Sequence, residues 1–262
     1  MRLNKFLAQK GLCSRREADK LITNELVRVN NEKVNPGYIL EEGNEVTVLE
    51  KGSEKTHSFI FSENKSNDNF ENIYIALNKP VDIECTCNTD IKGNIITYLR
   101  KNKKFLDLEK EYQQKNSSLL RLFHIGRLDK NSHGLILLSN DGELSQKLMH
   151  PSFEHEKEYL VTVNKELTED FIKKLSAGVT ISRDKKEDKV KTLPCKVKQV
   201  SKNSFNIILK QGYKRQIRKS CKVLGYEVED LYRFRIGEVN IGKNHRIKES
   251  DFLILNKKMI DF

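Results

Sequence analysis

Apolar and polar positions alternate with two different periods in the N-terminal part of the chain. Apolar residues at 3–7 have the i, i+3, i+4 spacing of a helix, which we expect to end at Gly11. The S-R-R-E segment at 14–17 has the pattern of a capping box and predicts the start of a second helix. The segments 26–30 and 45–49 alternate every second residue, as strands do. This part of the chain is therefore predicted to form two short helices and a β-hairpin.

The segment 51–72 is rich in Ser, Asn, Lys and Glu and has little periodicity. We interpret it as a linker, in which residues 59–61 are a candidate for a short strand. Two later stretches, 101–118 and 182–191, are equally polar and are predicted to be surface loops. The predicted organisation is a small domain, a linker and a larger domain, at residues 1–50, 51–72 and 73–262.

The larger segment alternates strand-like runs with two helical ones. This order predicts an α+β domain built on a mixed, mainly antiparallel sheet with flanking helices. The helical runs lie at 168–178 and 216–225. The strand-like runs lie at 73–80, 134–140, 158–163, 195–200, 204–210 and 233–242.

Charge changes this picture, because the basic residues are unevenly placed. The 262-residue chain has a formal net charge of +11, which favours a polyanionic partner. Residues 196–222 contain nine Lys and Arg and no Asp or Glu. We expect this tract to line a cleft that binds an anion.

Composition also argues against several classes of protein. The apolar runs at 73–77 and 135–138 are too short to cross a bilayer, so we expect no membrane contact and a cytoplasmic location. The five cysteines form no even-numbered framework and are interpreted as reduced thiols. The sequence has no G-x-G-x-x-G motif, and its six histidines are scattered. We therefore expect neither a metal nor a small-molecule cofactor.

A single carboxylate stands out in the segment HIGRLDKNSHGLILLSNDGEL at 124–144. Asp129 follows Arg127 and precedes Lys130, a short turn and a buried apolar run. Most aspartates in turns cap a backbone amide, and Asp129 taken alone would be interpreted in that way. Its position next to a strand also suits a loop residue held at the edge of a cleft.

The N-terminal segment is similar to the alpha-L RNA-binding module typified by ribosomal small-subunit protein four. The similarity covers residues 1–50 and is carried by L-N-K-F-L-A and C-S-R-R-E-A-D. A helix N-terminus with added arginines attracts phosphate groups. The resemblance implies RNA binding by the basic residues of this segment, namely Arg2, Lys5, Arg15 and Arg16.

The whole chain resembles the RNA pseudouridine synthases, in the bacterial branch that modifies ribosomal RNA. The most specific block is G-R-L-D-K-N-S-H-G-L-I-L-L-S-N-D-G at 126–142. N-K-P at 78–80, H-E-K-E-Y-L-V-T-V at 155–163 and Q-G-Y-K-R-Q-I-R-K at 211–219 agree with it in order and spacing. The resemblance implies isomerisation of a uridine without any cofactor. The implied substrate is 23S ribosomal RNA, with transfer RNA left open, and we expect a monomer.

The resemblance also implies a role for each matched residue. Asp129 would be the catalytic carboxylate, as nucleophile or base, and Arg218 would pair with it. Tyr159 would stack on the flipped uracil, Arg127 would help to extrude the nucleotide, and Ile217 would form an apolar floor. RNA contacts are further implied for three basic residues, Lys79, Lys214 and Arg215.

One departure from the family pattern lies after K-P, where Asp82 replaces the usual glycine. If that glycine has a positive φ, Asp is among the more tolerable replacements. Two rival functions remain open from the sequence. A non-catalytic RNA-binding or ribosome-assembly factor would use the same basic surfaces. A glycosidase releasing uracil generally needs paired carboxylates or an activated water, whereas the G-R-L-D block supplies one clear acid.

Overall fold

A computed structural model describes residues 1–49, 56–63, 71–116, 119–150, 154–183, 188–242 and 246–260. The chain divides into two compact units. The first unit comprises Met1–Glu71 and Lys103–Arg121, and the second comprises Asn72–Asn102 and Leu122–Phe262. The predicted linker and the predicted loop at 182–191 lie partly outside the described residues.

The N-terminal part of the first unit packs two helices on a small antiparallel sheet. Its core is apolar and includes Leu3, Phe6 and Phe61, with the two phenylalanine rings edge to face at 5.6 Å. The elements of this part are α1 (Leu3–Gln9), α2 (Arg15–Thr23), β1 (Val27–Val29), β2 (Glu32–Lys33), β3 (Glu45–Leu49) and β4 (Thr56–Ile60). The strands lie in the order β2-β1-β3-β4 in the sheet.

The predicted ends of the first two helices are confirmed. Gly11, just beyond α1, has a φ of 74°, a value that glycine adopts without steric cost. At the start of α2, the Glu17 amide donates to the Ser14 hydroxyl at 3.2 Å, and the Ser14 amide donates to the Glu17 carboxylate at 2.7 Å. The capping box therefore satisfies two backbone donors.

Part of the predicted linker belongs to the sheet of the first unit. β4 pairs with β3 over five residues, from Glu45 opposite Ile60 to Leu49 opposite Thr56. Phe61, which follows β4, is only 1% exposed. The described residues 56–61 are therefore anchored by ladder hydrogen bonds and by an aromatic side chain in the core.

The predicted surface loop at 101–118 was wrong, because its described part contains a helix. Helix α4 runs over fourteen residues, from Lys103 to Asn116. Phe105 and Tyr112, seven residues apart, are buried on one side of it. Seven residues are two helical turns, so the two rings lie on the same face. Ten of the other twelve residues are charged or carry an amide, and they concealed this period in the sequence.

The second unit is built on a mixed, mainly antiparallel sheet, as predicted. The strands are β5 (Tyr74–Lys79), β6 (Phe123–Ile125), β7 (His133–Ser139), β8 (Lys157–Val163), β11 (Lys196–Gln199), β12 (Ser204–Leu209), β13 (Val228–Ile236), β14 (Val239–Asn240) and β15 (Phe252–Leu255). They lie in the order β11-β12-β8-β13-β7-β5-β15, with β6 beside β7 and β14 beside β13. Among the described pairings of this sheet, β13 with β7 is parallel and the others are antiparallel.

Helices flank this sheet and close its core. Phe171 and Ile217, from two different helices, lie in one buried cluster with Val161 and Phe205 of the sheet. The helices are α3 (Ile95–Leu99), α5 (Gly142–Met149), α6 (Glu169–Ser176) and α7 (Gln216–Val223). A separate hairpin of β9 (Thr180–Ser182) and β10 (Lys189–Lys191) occupies the described ends of the predicted loop at 182–191.

A glycine lets two strands of the second unit approach each other closely. Gly134 in β7 has a φ of 104°, and a Cβ added there would lie 2.2 Å from the Arg233 carbonyl oxygen of β13. Glycine adopts this positive φ without strain, and it has no Cβ to collide with the neighbouring strand. Among the described residues, no helix combines the length and apolar character needed to cross a bilayer.

Candidate active site

Asp129 lies in the loop between β6 and β7, and its side chain is 29% exposed. The apolar run that follows, Leu135–Leu138, is completely buried in β7. The loop is therefore attached directly to a rigid central strand. The carboxylate therefore stands on a loop next to a buried strand, as the sequence predicted, and the structure shows that it is partly open to solvent.

Hydrogen bonds hold the backbone of this loop, which we call the Asp129 loop (residues 127–132). Four of its backbone carbonyl groups accept hydrogen bonds. The carbonyl of residue 129 accepts from the Ser132 amide at 3.0 Å, and the carbonyl of residue 130 accepts from the Asp82 amide at 2.9 Å. The carbonyl of residue 131 accepts from Arg218 at 2.9 Å, and the carbonyl of residue 127 accepts from Arg233 at 3.3 Å. Donors from distant parts of the chain thus fix its shape.

Lys79 supports the same loop from inside the protein. The residue is 0% exposed, and its Nζ donates to the carbonyl oxygens of Pro80 at 2.8 Å, Ile83 at 2.9 Å and Lys130 at 3.4 Å. Burial lowers the pKa of this amine below its ordinary value. The predicted RNA contact of Lys79 was wrong, because a completely buried ammonium group cannot reach a phosphate.

Asp82 has the positive φ that its place in the family pattern suggested. Its φ is 65°, in the left-handed region. In that conformation its amide points to the Lys130 carbonyl, next to Asp129. Asp82 therefore adopts the left-handed backbone and makes the hydrogen bond to the Lys130 carbonyl, although it has a side chain that glycine lacks.

Arg218 holds the loop backbone and also lies in the electrostatic field of Asp129. Its Nη2 donates to the Ser132 hydroxyl at 3.2 Å as well as to the loop carbonyl, and its Nη1 donates to the Val228 carbonyl at 2.8 Å. Burial and repulsion from Arg215 lower the pKa of this guanidinium, while Asp129 opposes the change. The Arg218–Asp129 pairing implied by the resemblance stays a prediction.

Arg215 forms an ion pair with Asp129, with 3.6 Å between Arg215 Nη1 and Asp129 Oδ2. It immediately precedes α7 and has a left-handed backbone, with φ 56° and ψ 32°. Such a conformation costs on the order of 1 kcal/mol or more in a residue other than glycine. Tyr213 and Gln216 stabilise the turn by exchanging two hydrogen bonds, at 3.0 and 3.1 Å. The sequence suggested a phosphate contact for Arg215 but did not reveal this pairing.

Tyr159 lies on β8, opposite Arg233 of β13. Its ring is partly buried against the cluster that contains Ile217, which is 5% exposed. The Arg233 guanidinium carbon lies 6.0 Å from the centre of the ring. The structure therefore brings the predicted stacking ring and the predicted apolar floor to the same cluster.

Two residues at this site were missed by the sequence reasoning, Arg233 and Cys85. Arg233 is 2% exposed, and its position inside a strand-like run was a signal that went unused. The Cys85 thiol accepts a hydrogen bond from the Leu128 amide at 3.4 Å, and burial raises its pKa. All five cysteines are free, as the predicted reduced state requires.

The predicted basic surface has a mixed outcome. Arg127 and Lys214 are exposed beside the elements that carry the site. By contrast, Lys196 and Lys198 of the predicted cleft tract lie on β11, an edge strand of the sheet. Lysines on an edge strand also discourage pairing with another chain. Only the part of the tract at α7 and its preceding turn contacts the Asp129 loop in the hydrogen bonds and ion pairs described.

In the first unit, Arg2, Arg15 and Arg16 are exposed and Lys5 is partly buried. The start of α2 already holds the Glu17 carboxylate, which also pairs with Arg121 at 3.3 Å. Any phosphate bound there would have to share this helix end with an acidic side chain. In the described parts of both units, no group of three or more His, Cys, Asp and Glu residues is arranged to hold a metal ion.

Comparison with known proteins identifies the class to which this fold and site belong. Residues 73–222 match the RNA pseudouridylate synthase family, and residues 1–46 match the S4 domain. The chain therefore belongs to the RNA pseudouridylate synthase family and is an RNA pseudouridine synthase. The S4 match confirms the predicted alpha-L module.

The relatives confirm the closer resemblance to large-subunit pseudouridine synthase F that HEKEYLVTV and SAGV at 176–179 indicate. The chain is 38% identical over 241 residues to the dual-specificity RNA pseudouridine synthase RluF of Escherichia coli K12, covering 92% of this chain and 71% of the relative. It is 32% identical to an RNA pseudouridine synthase of Borreliella burgdorferi, covering 92% and 85%. A crystal structure of a pseudouridylate synthase matches 100% of this chain and 98% of its own, with a TM-score of 0.61 and 26% identity.

Proposed function

We propose that this synthase isomerises a specific uridine of 23S ribosomal RNA, with Asp129 as the catalytic carboxylate and without a cofactor. We propose transfer RNA as a second candidate substrate, and the RluF relatives are named as dual-specificity RNA pseudouridine synthases. Such substrates imply a cytoplasmic enzyme, and we propose that it acts as a monomer.

The reaction breaks the bond between ribose C1′ and uracil N1 and forms one between C1′ and C5. The C5 proton is released and N1 gains a proton, so atoms balance without a redox partner or group donor. The protein must extrude the base, stabilise the charge that develops and let the base turn. A fixed carboxylate and an aromatic stacking surface meet these needs.

The observation that carries the proposal is the way in which the Asp129 loop is held. Four of its backbone carbonyl groups accept hydrogen bonds, and the donors include buried Lys79 and Arg233. A capping aspartate needs no such support. A carboxylate that acts on a reacting carbon must stay within a fraction of an ångström of its working position.

Two arginines lie near the carboxylate. Arg215 approaches it to 3.6 Å, and Arg218 lies in its electrostatic field from the partly buried side. Because a planar guanidinium stays charged at all physiological pH values, both arginines would keep a positive charge beside Asp129 during the reaction. The carboxylate would then serve as nucleophile or as base.

Other side chains would handle the base and the RNA backbone. Tyr159 would stack on the extruded uracil over Ile217, a contact worth about 1–3 kcal/mol per base. Arg127 is exposed in the loop and would enter the space that the base leaves. Lys214 and Arg215 would bind phosphates, and the S4 domain would anchor the RNA through Arg2, Lys5, Arg15 and Arg16.

The test is a map of pseudouridine across ribosomal and transfer RNA from cells with and without the gene. Deletion should remove pseudouridine at one or a few sites of 23S RNA, and the wild-type gene should restore it while the Asp129→Asn variant does not. If no pseudouridine disappears, the proposed substrate is wrong. Full restoration by Asp129→Asn would instead reject the catalytic carboxylate, and free uracil would indicate a glycosidase.

A further inference from the structure

Arg233 is a buried arginine whose contacts lead to both sides of the candidate active site. Its Nε donates to the Leu135 carbonyl of β7 at 2.8 Å, and its Nη1 donates to the Arg127 carbonyl, two residues before Asp129, at 3.3 Å. Its guanidinium also stands 6.0 Å from the centre of the Tyr159 ring. One rigid, planar group thus binds the loop of the proposed carboxylate and stands near the proposed stacking ring.

Burying the positive charge of Arg233 at this position costs free energy. Arg233 is 2% exposed, and its Nη2 has no hydrogen-bond partner among the described residues. In the described part of the chain, no carboxylate pairs with it either. Burial is the main cause that lowers the pKa of Lys79 and Lys157, and repulsion from Arg233 adds to it in both amines. An unpaired cation among other cations weakens the fold, so stability alone does not explain it.

We propose that Arg233 is a positioning residue that fixes the Asp129 loop relative to the Tyr159 ring. The proposal rests on the roles proposed above for Asp129 and Tyr159. A guanidinium can donate in two fixed directions while its face lies along an aromatic ring, whereas an ammonium group is a single point charge. Lysine at this place would keep the charge but would bind one carbonyl group at a time.

The backbone supplies a matched control two residues further along β13. A β-bulge separates Arg233, opposite Tyr159, from Arg235, opposite Glu158. Because neighbouring residues of β8 face opposite sides of the sheet, the side chain of Arg235 lies on the face opposite to that of Arg233. There it pairs with Glu158 at 2.7 Å and Glu156 at 2.9 Å. The two arginines therefore share a strand but not a site.

The experiment uses the full chain and RNA labelled with [5-³H]uridine in cells that lack the gene. Pseudouridine formation releases tritium from C5, so the single-turnover rate can be measured at saturating enzyme. Arg233→Lys should slow this step about 100-fold, the effect of a misplacement near 1 Å, while RNA affinity stays as in the wild type. Arg235→Lys should leave both the rate and the affinity unchanged.

A double-mutant cycle with Tyr159→Leu separates positioning from a general loss of structure. If Arg233 positions the ring and the loop relative to each other, Arg233→Lys should slow the single-turnover rate by a smaller factor in the Tyr159→Leu variant than in the wild type. Equal losses in the two backgrounds, or equal losses for Arg233→Lys and Arg235→Lys, would overturn the proposal. A wild-type protein that releases no tritium would instead reject the proposed function, and the two failures are therefore distinct. Thermal unfolding of each variant shows whether it is folded.

Discussion

Arg215 Nη1 lies 3.6 Å from Asp129 Oδ2, and the arginine reaches that place from a left-handed backbone. Both side chains are partly open to solvent, with 48% of Arg215 and 29% of Asp129 exposed. An ion pair with this exposure is worth only about 0–1 kcal/mol. A weak pairing allows an incoming phosphate to compete for Arg215, whereas the better buried Arg218 keeps its place.

Replacing Arg215 by asparagine tests its contact with RNA. Asparagine tolerates the left-handed backbone, so we expect the free energy of unfolding to change by no more than about 1 kcal/mol. Loss of one phosphate contact should reduce the slope of log affinity against log salt by about 0.7–0.9. Filter binding of unmodified ribosomal RNA at several salt concentrations measures this slope. Lys174→Gln, at an exposed position of α6, is the control. An unchanged slope for Arg215→Asn would reject the contact.

Lys79→Met separates a buried support from an RNA contact. The three carbonyl groups that Lys79 binds would lose its ammonium group as a donor, and we expect the Asp129 loop to shift. We expect the single-turnover rate to fall about 100-fold, because displaced catalytic groups lose that much. The salt dependence of RNA binding should stay as in the wild type. For comparison, Lys214→Met should reduce the salt slope, and a reduced slope for Lys79→Met would contradict its burial.

Gly134→Ala should destabilise the second unit. The added methyl would collide with the backbone of Arg233, and alanine resists the positive φ at this position. We expect a loss of about 2–4 kcal/mol, measured by urea unfolding, as in other severe steric clashes. Gly142→Ala in α5 is the matched control, because nothing lies within 4 Å of its added Cβ. That change should raise stability by about 0.4–1 kcal/mol. Equal effects of the two variants would refute the close approach at Gly134.

The capping box of the first unit should make its stability depend on pH. Hydrogen bonds from the Ser14 amide and hydroxyl, and then Arg121, hold the pKa of Glu17 below its ordinary value. The carboxylate therefore stabilises the fold fully above that ordinary value, and the contribution is lost as pH falls through the lower, folded value. Glu17→Gln should lower the melting temperature near neutral pH and lose this deficit in acid. A deficit that is constant between pH 7 and 3 would argue against this cause.

Much of the architecture was readable from the sequence, because local patterns determine it. The helix at 14–23 followed from its cap, and the buried run in β7 followed from its apolar residues. Helix α4 was hidden because only two of its fourteen residues, Phe105 and Tyr112, are buried. A helix whose exposed face dominates looks like a polar loop.

The site was predictable only in part, for a related reason. The resemblance supplied Asp129, Tyr159 and Arg218 from short motifs. It could not show that Lys79 points inward or that Arg215 turns toward the carboxylate, because both depend on backbone direction. The role of Arg233 depends on the partner strands and on Gly134, which are far from it in sequence.

The β-bulge in β13 has a consequence for how this strand can change. In a regular strand, residues 233 and 235 would face the same side, and two guanidinium groups would crowd beneath one tyrosine. The extra residue sends the second arginine to a pair of glutamates on the opposite face. The spacing between these arginines therefore matters as much as their identity. Substitutions at Phe234 should be accepted more readily than an added residue, since one insertion would reverse the sides on which the neighbouring positions lie.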